Sequence, residues 1–73
     1  MKYTLAVFRA RTQTLLFAKL LKSYQIPISI INTPREINIS CGLCVKFLSI
    51  YKEYAESIIK RRKFDSFAGF FEF

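Results

Sequence analysis

The spacing of apolar residues along this chain switches repeatedly between the two-residue period of a strand and the 3.6-residue period of a helix, and that switching limits the fold most. Residues 3–9 alternate, with Leu5 and Val7 on one face and Ala6 and Phe8 on the other. In residues 13–24 the positions Phe17, Leu20, Leu21 and Tyr24 fall at helical spacing, with Leu16 beside them and Lys19, Lys22 and Ser23 on the wet side. Thr12 stands where an N-cap would. Pro27 cannot extend that helix, so Ile28–Asn32 reads as a short strand. Leu43–Leu48 is the next strand, with Leu43, Val45 and Phe47 on one face and Cys44, Lys46 and Leu48 on the other. Ser49 precedes a second helical stripe of Tyr51, Tyr54, Ala55 and Ile58, widened by Ile59. Phe67–Glu72 is the last strand. The order β-α-β-β-α-β predicts an α+β ferredoxin-like sandwich, a four-stranded antiparallel sheet with two helices on one face.

Size and composition narrow the rest. A chain of 73 residues reads as a single domain, residues 1–73, because two separate cores would each be too small. It buries only roughly 60% of its unfolded-chain surface on folding, so a partner would add usefully to its stability. At 52% hydrophobic and 16% aromatic it has enough apolar surface to collapse, which argues against disorder. It contains no histidine, which removes the commonest general base and zinc ligand and every Cys-His or Ser-His pair. Two cysteines do not make a disulfide scaffold. The apolar run of residues 3–8 ends at Arg9, too short for a signal peptide, and no stretch approaches the ~20 apolar residues of a membrane span. A cytoplasmic setting with free thiols follows as the expectation, with neither cofactor nor metal called for.

The net charge of +7 is mostly local. Without the contiguous Lys60, Arg61, Arg62 and Lys63 it falls to +3. Cations at a helix end complement the helix dipole, so the run reads first as a solvated terminus and second as a docking patch for an acidic partner, an anionic membrane surface or nucleic acid. Five of the eight phenylalanines lie in the last ten residues. Alternation sends Phe67, Phe71 and Phe73 to one side and Phe70 to the other. The uncovered sheet face is expected to carry Ala6, Phe8, Ile31, Cys44, Leu48 and Phe70, apolar enough for a homodimer or another partner. Nucleic acid is disfavoured there, because Lys46 holds the centre of the third strand and the aromatic RNA-recognition signature is missing.

Residues 33–42 carry the chemistry. Ten residues join two strands that as few as about two could connect. Thr33, Pro34, Arg35 and Glu36 spell a capping box with proline at its first helical position, which predicts one short helical turn. Cys41 follows, between Ser40 and Gly42, with little steric cover. Arg35 is the loop's one cation, and amides around Gly42 would add donors for a thiolate. A buried small hydrophobe is the ordinary fate of a free cysteine, and the residues alone leave both readings open.

Cys41 and Cys44 also form a CxxC. A redox pair of that type sits at a helix N-terminus, whereas this one runs into a strand, where the two Cα atoms would stand ~10 Å apart, beyond the ~7 Å a disulfide spans. A zinc site needs four ligands, which only a metal-bridged pair of chains would supply. For Cys44 a small residue on the open sheet face is the favoured reading.

The run Asn32-Thr33-Pro34-Arg35-Glu36-Ile37-Asn38-Ile39-Ser40-Cys41-Gly42-Leu43 resembles the signature of the selenium/sulfur carrier protein-like domains, small bacterial proteins. Its T-P-R-E block is followed at the family spacing by S-C-G and a hydrophobic strand, and the likeness extends over nearly the whole chain. The resemblance implies a compact α+β domain whose cysteine, Cys41, holds sulfur or selenium as a persulfide or selenopersulfide for transfer from a donor to an acceptor protein. It implies a carrier in preference to a classical enzyme. Arg35, Ser40 and Gly42 would surround the sulfur, and Thr33, Pro34 and Glu36 would shape the loop. Cys44 departs from the family pattern, as a neutral replacement or as a second thiol. The reading from a different class is a non-catalytic module that binds a protein or RNA through the open sheet face and the basic helix end.

Overall fold

A computed structural model describes residues 2–38 and 41–73. The elements are β1 (Tyr3–Phe8), α1 (Arg11–Ser23), β2 (Ile28–Asn32), β3 (Leu43–Leu48), a 3-10 turn (Ser49–Tyr51), α2 (Lys52–Arg62) and β4 (Phe67–Glu72). The sheet order is β2-β3-β1-β4, with every neighbouring pair antiparallel. This α+β arrangement is compatible with the ferredoxin-like sandwich. No helix among the described residues is long and apolar enough to cross a membrane.

The centre of the sheet is apolar on both faces. Leu5, Ala6, Val7 and Phe8 of β1 are all completely buried. Ala6 and Phe8 join Val45 and Phe47 of β3 under the helices, against Phe17, Ala18 and Leu21 of α1, Ala55 and Ile58 of α2, and Phe64. Phe8 is the hub of that layer, its ring centre 5.2 Å from Phe17, 5.3 Å from Phe64 and 5.4 Å from Phe67. Tilted and edge contacts at these distances add ~0.5–1.5 kcal/mol per pair to the area buried.

Several local expectations shift. The buried stripe of α1 is Thr14, Phe17, Ala18 and Leu21. Leu16 and Tyr24 face outward, Tyr24 with 60% of its surface exposed. The helix begins earlier than the spacing of large residues suggests, so its N-cap is Ala10 and Thr12 lies within the first turn. Ser49 does not cap α2 directly. It opens the 3-10 turn, and its hydroxyl bonds Thr4 Oγ1 at 2.7 Å. On α2, Ala55 and Ile58 are buried while Tyr54 is exposed.

The largest shift is in β4. Val7 pairs with Gly69 and Phe8 with Phe67, which leaves Ala68 as the extra residue of a bulge. Gly69 has φ of +135°, a conformation that suits glycine. Strict alternation would keep Phe67 with Phe71. The bulge instead turns Phe67 to the helix side, where its ring lies 4.9 Å from Phe70, and leaves Ala68 and Phe71 on the other face. Ala6 and Phe8 are core residues beneath the helices and Phe70 packs against that core, so none of the three belongs to the opposite sheet face.

Replacing Phe8 by alanine removes the hub of the ring cluster and should cost about 3–5 kcal/mol. Urea unfolding of Phe8→Ala measures this, and a loss below about 1 kcal/mol would contradict the packing.

Candidate functional site

The loop between β2 and β3 covers the sheet face opposite the helices. Thr33 prolongs the ladder, its N–H donating to the Gly42 carbonyl at 3.0 Å. The chain then turns, closed by the Ile37 N–H donating to the Pro34 carbonyl at 3.0 Å, with Arg35 and Glu36 exposed at the corner. The expected helical turn is thus a single tight turn. The Thr33 amide that a capping box would give to Glu36 is committed to Gly42 instead. Beyond the turn Ile37 packs against Leu5, Val7 and Cys44, and Ile31, Ala68 and Phe71 complete the cluster. Leu5, Val7 and Cys44 are completely buried, so the middle of this face is a second small core. Further along it Lys46 extends over two rings, with Nζ 4.3 Å from the centre of Tyr3 and 4.7 Å from that of Phe73.

Cys41 sits where this loop meets the corner between β1 and α1. Its N–H donates to the Phe8 carbonyl at 3.2 Å, which ties the loop to the last residue of β1. Its Sγ lies 3.6 Å from Thr14 Oγ1 and 3.6 Å from the Leu43 carbonyl. The side chain is half-buried. Gly42 has φ of +100°, and a Cβ there would meet nothing within 4 Å. Its role is conformational: it bends the chain so that β3 can start at Leu43. Ser40 lies outside the described residues. Arg35, expected beside the sulfur, is exposed at the Pro34 turn. The neighbouring positive end is that of α1. No acidic residue lies in its first turn, Ala10 provides no side-chain cap, and Arg9 and Arg11 flank that cap.

Thr14 and Gln13 are the residues that sequence reasoning missed. Gln13 clasps the α1 start to the turn before β4: its Nε2 donates to Asp65 Oδ1 at 2.6 Å and its Oε1 accepts the Ser66 N–H at 3.0 Å. The Arg9 N–H donates to the Ser66 carbonyl at 2.8 Å. These bonds cross more than fifty positions, and no local pattern announces them. Thr14 did carry a signal, because it is the polar member of an otherwise apolar buried stripe.

The two cysteines occupy different environments, and both are free thiols. Burial pushes the Cys44 thiol above its usual value, a hydrogen bond with the Thr33 side chain pulls it back in part, and the nearby Cys41 raises it again. Cys44 thus stays a protonated thiol, and Cys41 is the more accessible of the two.

The family model described as Putative Se/S carrier protein-like matches residues 2–68. The chain belongs to this family. No curated protein and no solved structure matches it. The matched span holds both cysteines, the covering loop and the α1 start, and membership implies donor and acceptor partners in general terms.

The raised Cys44 thiol gives a pH dependence of known sign. The native state keeps the proton after the unfolded chain has lost it, so this contribution to stability is complete below the ordinary cysteine value of 9.0 and is lost as pH rises through the native one. The urea midpoint of the unmodified chain should therefore fall more steeply above pH 9.0 than that of Cys44→Ala. Parallel curves for the two proteins would contradict the burial of this thiol.

Proposed function

We propose that this protein carries sulfur or selenium as a persulfide or selenopersulfide on Cys41. The observation that carries the reading is the position of its Sγ, half-buried where the covering loop meets Thr14 of α1. In transfer, the Cys41 thiolate attacks the terminal sulfur of a donor persulfide. A new S–S bond forms to Cys41, the donor's S–S bond breaks, and its electron pair leaves on the donor thiolate. The reverse exchange, with an acceptor nucleophile attacking the outer sulfur, regenerates the Cys41 thiolate. Sulfur moves without net oxidation, and no general base is required once the thiolate exists. That suits a chain without histidine.

Cys41 Sγ lies within reach of Thr14 near the start of α1. Helix N-termini attract negative charge and are a recurrent setting for reactive thiols. The start of α1 thus stands where Arg35 was first expected. Donor and acceptor are proteins of the cytoplasm, where thiols stay reduced. Docking of RNA on the open face has less support, because Ile37 covers the centre of that face and Lys46 occupies the Tyr3 and Phe73 rings on which bases would stack.

Incubation with a cysteine desulfurase and cysteine should add about 32 Da, one sulfur atom, to the intact chain. The adduct should map to Cys41, persist in Cys44→Ala and vanish in Cys41→Ser. An unmodified chain, or an adduct that survives Cys41→Ser, would overturn the reading.

A further inference from the structure

Resting on the reading of Cys41 as the sulfur-bearing residue, we propose that Thr14 is its positioning residue, a buried hydroxyl on α1 that holds Sγ and turns its hydrogen toward it when the sulfur becomes anionic.

Thr14 has 0% of its surface exposed, on the stripe where Phe17, Ala18 and Leu21 enter the core. Valine has the same shape and would fill that space without a polar atom to satisfy. The hydroxyl of Thr14 therefore needs an account. It has two neighbours, the Ala10 carbonyl at 3.2 Å and Cys41 Sγ at 3.6 Å. The bond to Ala10 is the usual i−4 resting place for a helical threonine. The Ala10 carbonyl does not depend on it, because it already accepts the Thr14 N–H at 3.1 Å. Turning the hydroxyl hydrogen from Ala10 to sulfur leaves no orphaned group.

The second neighbour of the sulfur makes that turn useful. As a thiol, Cys41 donates to the Leu43 carbonyl at 3.6 Å, and Thr14 can keep its hydrogen on Ala10. As a thiolate, Cys41 has no hydrogen to give, and the Leu43 carbonyl then presents a negative end to a negative atom. The proton leaves to solvent, the Thr14 O–H rotates, and its hydrogen bond to sulfur replaces the lost one. No covalent bond of Thr14 changes. Hydrogen bonds to an ionised partner are roughly twice as strong as neutral ones, so the hydroxyl favours the reactive form. The same atom fixes Sγ against the first turn of α1 while the anion forms.

The charged and titratable groups around this corner are Arg9 on the β1–α1 turn, Arg11 at the first position of α1, Asp65 held by Gln13, and Cys44 on β3. All of them remain when Thr14 alone is changed.

The test compares Thr14→Val and Thr14→Ser with the unmodified chain by the rate of Cys41 alkylation with iodoacetamide across pH, alongside the urea midpoint. Thr14→Val should alkylate about tenfold more slowly at neutral pH, as expected for one lost hydrogen bond to a charged group, with the midpoint of its rate–pH curve moved upward. Thr14→Ser, which keeps the oxygen, should restore the unmodified rate. A Thr14→Val rate equal to the unmodified one overturns the proposal. So does a Thr14→Ser rate as slow as that of Thr14→Val, which would assign Thr14 a packing role only. If Thr14→Val fails to fold, Thr14→Ala replaces it under the same criteria. Alkylation needs no persulfide, so this outcome is separate from the mass adduct on the unmodified chain that tests the carrier reading.

Discussion

The first strand has to be covered on both faces, and the rest of the molecule follows from that need. Residues Leu5 to Phe8 present apolar side chains to each side of the sheet, and all four are completely buried. Each face of a strand like this loses about 25 cal/mol of stabilisation for every Å² of apolar surface left wet. The two helices cover Ala6 and Phe8. They cannot reach Leu5 and Val7, which lie on the opposite side. The loop between β2 and β3 is what reaches them, with Ile37 as the covering side chain. A two-residue hairpin would leave that face open. The length of the loop is thus a packing requirement.

Covering the face brings the cysteine to its place. At Cys41 the chain lies against the end of β1. There the Cys41 amide bonds to the Phe8 carbonyl, and the side chain meets the first turn of α1. Three residues later Cys44 points into the cluster beneath Ile37. The two thiols flank the bend at Gly42 and occupy different settings. One becomes a buried, protonated thiol within a small core, and the other lies at a half-exposed corner beside a helix N-terminus.

Much of this was legible because it depends on periodicity. The limits of β2, β3 and β4 follow from alternation and from Pro27 and Gly42, and the order of elements restricts the sheet to few topologies. The loop stood out by its length and its Thr-Pro-Arg-Glu and Ser-Cys-Gly blocks. What was not legible depends on distant pairing. The bulge at Ala68 arises from how β4 meets β1, and it reverses the face of Phe67. The buried α1 stripe includes small Ala18 and polar Thr14, which a reading of large residues passes over. Arg35 was assigned to the sulfur by proximity in sequence, whereas the Pro34 turn carries it to the surface.

Fold and site are consequently one mechanical unit. The loop is held by the Thr33 ladder bond, by Ile37 on the Leu5 and Val7 cluster, and by the Cys41 amide on Phe8. Two of these three anchors are on β1 itself. The opposite wall of the site, the start of α1, is fastened by Gln13 and Arg9 to the turn that precedes β4. A change that loosens β1 thus moves both walls, even when it lies far from Sγ. Positioning a thiol to within hydrogen-bond reach of a helix needs such support, because sites held only by a free loop lose geometry first. In a chain this small, Phe8 and Ile37 serve the packing of the sheet and the placement of the loop together.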